Sequence, residues 1–194
     1  MTLEERLRAA IAAPRPLEVS QDDMDRHELG ETCPAAVLVP VIERLSPTLL
    51  LTQRAGDMRT HAGQIAFPGG RIDPGETPAD AALREAEEEL GIPRSTPQPL
   101  GFIDSYRTGT GFYVAPLIAI LPPDLPIIPQ PDEVADWFEA PLDLLIDPAN
   151  HSRESVEWKG RLRHYWRIHF EDRYIWGATA GMIVNLSHRL RHAL

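Results

Sequence analysis

Apolar and polar positions along this chain sort into short runs, divided by prolines, glycines and clusters of acids. The runs AAVLVPVIE (35–43) and TLLLTQR (48–54) are flanked by turn residues, which predicts two strands joined as a hairpin through residues 44–47. Residues 98–104 and 111–121 predict further strands, 134–138 a short one, and the partly alternating stretch 161–176 a strand pair. Residues 1–14 form an amphipathic pattern with a capping-box spacing between Thr2 and Glu5 and prolines at its end. The clearest helix signal is 77–90: Thr77 can cap it, Pro78 takes the first helical position and Gly91 stops it. Short and C-terminal helices are expected near 142–146 and over 177–193, and 55–76, punctuated by Gly and Pro, reads mostly as loop. The order predicts an α/β (α+β) fold, a central mixed sheet sandwiched between helices. Residues 1–34 would be an N-terminal helix and polar connection, and 35–194 one domain.

The 77–90 helix contains REAEEELG, with glutamates at 85, 87, 88 and 89. At 100° per residue, Glu85, Glu88 and Glu89 share an arc of about 100°, while Glu87 falls on the far side. Ala79, Leu83, Ala86 and Leu90 gather about 100–160° from Glu85, an apolar stripe suited to packing on a sheet. Like charges three and four apart repel by roughly 0.2–0.5 kcal/mol per pair. Either the acids form a solvated face, or a hard divalent cation such as Mg²⁺ or Mn²⁺ compensates them.

Composition narrows the classes. A net charge of −10 disfavours a nucleic-acid partner, yet leaves room for a small anionic substrate beside a metal or a local basic patch. The single cysteine, Cys33, excludes an internal disulfide framework. No apolar run reaches membrane-spanning length and no secretory leader is evident, so no membrane partner and a cytoplasmic location are expected. The histidines show no metal-ligand spacing.

The acids belong to a longer pattern. Gly70, Glu76, Arg84, Glu85, Glu88, Glu89 and Gly91 fill G-x5-E-x7-R-E-U-x-E-E-x-G-U, with Ala86 and Ile92 at the apolar (U) places. This resembles the Nudix box. The resemblance implies a loop–helix–loop that binds Mg²⁺ or Mn²⁺ and hydrolyses a nucleoside diphosphate linked to a second group. It further implies Glu85, Glu88 and Glu89 as metal ligands, the Gly69 carbonyl as an added ligand, and Glu85 as a group that helps deprotonate water. Gly70, Glu76, Arg84 and Gly91 would be structural, with Arg84 in reach of Glu88 and Glu76.

The preceding segment, LLTQRAGDMRTHAGQIAFPGG (50–70), resembles the added signature of the coenzyme A pyrophosphatases within that superfamily. The substrate implied is coenzyme A or an acyl-CoA. Arg54 and Arg59 would supply forked donors to phosphate oxygens, Gly63 would allow close backbone approach, and Phe67 would complete the substrate side. Residues 131–151 also resemble this subgroup, making Glu133 an added ligand or general base, or else a plain turn residue. Other nucleoside diphosphate substrates, such as ADP-ribose or a dinucleotide, and a non-catalytic ligand-binding module remain as alternatives. The assembly is expected to be a monomer or homodimer.

Overall fold

The computed structural model describes residues 1–14, 32–56, 63–158 and 160–192. Its spine is a parallel pair: β1 (Cys33–Ile42) lies beside β7 (Phe112–Leu121) in register from Cys33↔Phe112 to Ile42↔Leu121. The far edge of β7 carries β5 (Gln98–Phe102) and β6 (Tyr106–Arg107), both antiparallel. On its other side β1 meets β2 (Thr48–Arg54) only at Val41↔Leu49 and Ile42↔Thr48. The two strands then part. Beyond the split, β4 (Gly69–Arg71) pairs with β1, while β3 (Ile65–Ala66) pairs with β2. The outer edge of β2 takes β8 (Val134–Pro141), completing a mixed sheet. A separate antiparallel meander is formed by β9 (His151–Trp158), β10 (Arg161–Phe170) and β11 (Arg173–Trp176).

Alternation along β1 explains the layers. Ala35, Val39 and Val41 face a core shared with α1 (Leu3–Ala12), α3 (Leu142–Ile146) and α4 (Gly177–His192), whereas Ala36, Leu38 and Ile42 face α2 (Pro78–Leu90). The expected sandwich of helices about a mixed sheet is therefore observed.

The caps form as the sequence predicts. Thr77 accepts from the Asp80 N–H, and Gly91 is left-handed at φ 67°. Thr2 and Glu5 make the reciprocal capping box of α1. This helix is also held at its other end: Arg189 of α4 donates to the carbonyls of Ala10, Ile11 and Ala13 while its Nε meets Asp104 at 2.6 Å.

Among its described residues, 55–76 is mostly loop as expected, with the short strands β3 and β4 inside it. Two expectations need correction. The strand pair at 161–176 has a third partner, β9, whose HSRESVEW carries too many polar residues to announce itself. The buried face of α2 is rotated from the expected stripe. Ala81, Ala82, Ala86, Glu89 and Leu90 are buried, while Ala79 and Leu83 are only partly so. Three methyl-sized side chains let the helix seat closely on β1, and this orientation carries Glu89 inward instead of leaving it on a solvent face.

Candidate active site

Glu85, Glu89 and Glu133 converge from two elements, with one carboxylate oxygen of each lying within 4.8 Å of the others. The first two come from α2, one turn apart. The third sits on a turn hung from the end of the same helix. The Glu89 and Leu90 carbonyls accept from the N–H groups of Gln130 and Ile128, and Gln130 in turn accepts from Glu133 N and Val134 N. The Glu133 carbonyl accepts from Ala55 N, which ties this turn to the end of β2.

Glu89 is 3% exposed, and its Oε2 is buried without a hydrogen-bond partner. Arg54 approaches from β2, its Nη1 at 4.0 Å from Glu89 Oε1, and its Nε is likewise buried without a partner. Burial, reinforced by the charges of Glu85 and Glu133, pushes the Glu89 carboxyl up to about 8; Arg54 only partly opposes this. Burial also raises Glu85, against the pull of Arg84. A carboxylate set that repels itself and leaves a buried oxygen unsatisfied fits a divalent cation. Glu85, Glu89 and Glu133 are the residues that would hold it.

Glu88 is not part of this cluster. Its side chain is 53% exposed, and its Oε2 accepts from Arg84 Nη1 at 2.9 Å. Arg84 grips more than Glu88. Its Nε and Nη2 fork onto Glu76 at 2.9 and 3.1 Å, Nη1 also donates to Glu85 Oε1 at 3.0 Å, and Nη2 reaches the Arg71 carbonyl. The box arginine thus holds the loop, the helix and one carboxylate of the cluster together. Glu87 lies on the opposite face, exposed and paired with Arg94 at 2.8 Å.

The two glycines of β4 are set by contact. A Cβ at Gly69 would strike the Ala36 carbonyl and the Val37 backbone, and one at Gly70 would strike the Glu85 carboxylate. Gly63 has φ 71° and donates to the Arg54 carbonyl at 3.1 Å, closing the segment that follows β2. Arg59 lies outside the described residues.

Beside the cluster, where β1 and β2 part, a cavity of about 500 Å³ opens on the α4 side of the sheet. Arg54, Gly69 and Gly70 belong to its wall and border the carboxylates. Phe67, expected on the substrate side, is 3% exposed and lines it too. Arg71, Trp176 and Met182 also line it. Arg71 carries no signal of its own in the sequence, although its guanidinium lies 5.7 Å from the centre of the Phe112 ring. Among the described residues, no helix is long and apolar enough to cross a membrane.

The NUDIX domain model matches residues 32–159. The chain is 43% identical over 156 residues to the uncharacterized Nudix hydrolase NudL of Escherichia coli (strain SMS-3-5 / SECEC), covering 79% of this chain and 80% of that protein. It is 40% identical over 173 residues to the protein of the same name in Cronobacter sakazakii, covering 88% of each. Among solved structures, a Nudix hydrolase from M. smegmatis, RenU, is similar at TM-score 0.50 and 25% identity, over 58% of this chain and 72% of that one. A MutT/nudix family protein from Enterococcus faecalis shares the fold at TM-score 0.51 and 14% identity, over 96% of this chain and 68% of that one. Domain match, relatives and acid-bearing helix agree, and this chain belongs to the Nudix family as a Nudix hydrolase.

Proposed function

We propose that this Nudix hydrolase cleaves the diphosphate of coenzyme A or its thioesters, giving adenosine 3′,5′-bisphosphate and 4′-phosphopantetheine or its acyl form. The observation that carries the reading is the junction of three parts: the carboxylate cluster, Arg54 facing Glu89, and a largely apolar cavity opening from the same glycines. Nudix hydrolases use divalent cations; Mg²⁺ or Mn²⁺ bound here would neutralise diphosphate oxygens and acidify the attacking water. Glu85, Glu89 and Glu133 hold the cation, with the Gly69 carbonyl as a further ligand. Glu88, close to Glu85 on the helix, serves a second ion or the outer shell. Glu133 and Glu85 are the candidates for accepting the proton of the water. Arg54 neutralises the substrate diphosphate, and Arg59 meets the 3′-phosphate. The LLTQR and FPGG segments support coenzyme A over other diphosphates.

The test is hydrolysis of coenzyme A with Mg²⁺ or Mn²⁺, beside the same molecule lacking its 3′-phosphate and beside ADP-ribose. Preference for coenzyme A, with the two named products resolved by chromatography, is expected. Equal rates on coenzyme A and its dephospho form would remove the argument from the arginines, and preference for ADP-ribose would reassign the substrate.

A further inference from the structure

We infer that the cavity beside the carboxylate cluster receives the uncharged pantetheine arm of the substrate and excludes its nucleotide half. The inference rests on the coenzyme A reading above and adds which end of the molecule lies where.

The cavity has a charged end and an uncharged body. Arg54, Gly69 and Gly70 form the end that adjoins Glu85 and Glu89. The rest of the lining includes Val37 beside Gly69, then Val114, Ala178 and Met182, and among the described residues the charged side chains of the whole lining are Arg54 and Arg71. Arg71, the other cation of the lining, is exposed and lies over the Phe112 ring, so it belongs to the rim. The hydroxyls of the lining are engaged already. Thr179 donates to the Ile65 carbonyl, and Thr108 accepts from Phe112 N and shares a hydrogen bond with Thr110.

The two halves of coenzyme A make different demands. The nucleotide half carries a phosphate dianion and a purine edge of several donors and acceptors. Within apolar walls that dianion would lose its water without gaining a cation. The pantetheine arm is uncharged, narrow and rich in methyl and methylene groups. A volume of about 500 Å³ lies within the range of pockets that enclose small-molecule groups of this size. A diphosphate at the carboxylate cluster has its scissile linkage where Arg54, Gly69 and Gly70 meet the cavity mouth. One substituent of that diphosphate therefore enters the cavity, and the uncharged one fits. Trp176, at 39% exposure, stands at the lip and would cover the entering arm.

The test separates the halves by using the products as probes. Binding of 4′-phosphopantetheine and of adenosine 3′,5′-bisphosphate is measured by calorimetry in the presence of Mg²⁺, for the wild type, Ala178→Trp and Thr110→Trp. The first variant fills the body of the cavity. The second narrows the rim from an exposed position, so it stays informative if Ala178→Trp does not fold. Each folded variant should bind 4′-phosphopantetheine at least about tenfold more weakly and the bisphosphate within about twofold of wild type. A loss falling on the bisphosphate would overturn the inference and place the nucleotide in the cavity, against the first turn of α4 (Gly177 onward). Unchanged binding of both probes would show that the cavity is not part of the site. Hydrolysis of coenzyme A by the wild type is scored separately, so its absence would count against the substrate reading and not against the probe comparison.

Discussion

Arg54 and Glu89 face each other at 4.0 Å, beyond hydrogen-bonding reach, with a buried polar atom on each left without a partner. Two opposite charges this close and this deeply placed ordinarily close into a forked pair. Here they stand apart, and the space between them lies beside the mouth of the cavity. The arrangement suits a pair whose partners arrive from outside: a cation for the acid, a phosphate for the base.

The metal-free protein should lose stability as pH rises above neutrality. The Glu89 carboxyl is raised in the folded state to about 8, so between its ordinary value and about 8 the folded chain keeps a proton that the unfolded chain has released. Stability from this group is full below the unfolded value and is lost as pH climbs through the folded one. Glu85 shifts in the same direction. His151 is lowered by burial and acts in the opposite sense, but only below the ordinary imidazole range. Melting temperature in chelator should therefore fall from pH about 6.5 to about 8.5, and Mg²⁺ or Mn²⁺ should offset the fall. An equal decline in Glu89→Gln would mean that another group is responsible.

Metal affinity should separate the glutamates by position. Glu85→Gln, Glu89→Gln and Glu133→Gln should each weaken Mn²⁺ binding more than Glu88→Gln, whose side chain faces Arg84 and solvent. Arg84→Gln removes the donor that orients Glu85 and should cost about 10–100-fold in metal affinity or activity. Paramagnetic titration with Mn²⁺ reads both. If Glu88→Gln proves the most damaging, the three-carboxylate cluster is not the principal site.

Adjacent glycines should fail in different ways. Gly69→Ala pushes a methyl into the Ala36 and Val37 backbone, which cannot yield, and should destabilise the fold by about 1–3 kcal/mol. Gly70→Ala meets only the end of the Glu85 side chain, so it should melt nearly as the wild type does while losing activity. Thermal melts beside turnover distinguish them; similar melting losses in both would contradict the account.

Arg189→Met should destabilise the protein by about 3–5 kcal/mol, because it leaves Asp104 buried opposite an apolar side chain and removes the donors to the Ala10, Ile11 and Ala13 carbonyls at the end of α1. Urea unfolding measures this. Glu87→Ala, by contrast, should lie within about 0.5 kcal/mol of wild type, since its pair with Arg94 is exposed. A large loss there would give Glu87 a role that its position on the helix does not suggest.

The sequence disclosed most where the cause of structure is local. Thr77, Pro78 and Gly91 bound α2 through short-range capping, and the alternation of Ala35 to Ile42 sorts β1 between its two faces. It disclosed least where pairing is distant. Gly69–Arg71 becomes a strand only because β1 offers it an edge, and His151–Trp158 only because β10 lies alongside. The angular reading of α2 divided its glutamates into faces but set the buried stripe on Ala79, Leu83, Ala86 and Leu90, of which only Ala86 and Leu90 are fully buried. Ala81 and Ala82, outside that stripe, are buried as well and mark where the helix comes nearest the sheet. Glu133 stood out in its acidic turn, but its convergence on Glu85 and Glu89 depends on backbone bonds to Glu89 and Leu90 that no local pattern encodes.

Those alanines have one more consequence. Ala81, Ala82 and Ala86 set the standoff between helix and sheet, and Glu89 rides on the same rigid rod. Widening any one of the three to valine or leucine would lift the rod and draw Glu89 away from Arg54, although none of them touches a reacting atom. The carboxylate cluster is positioned by spacers, and the tolerance of this core to enlargement is bounded by how far Glu89 can retreat and still face Arg54, Glu85 and Glu133.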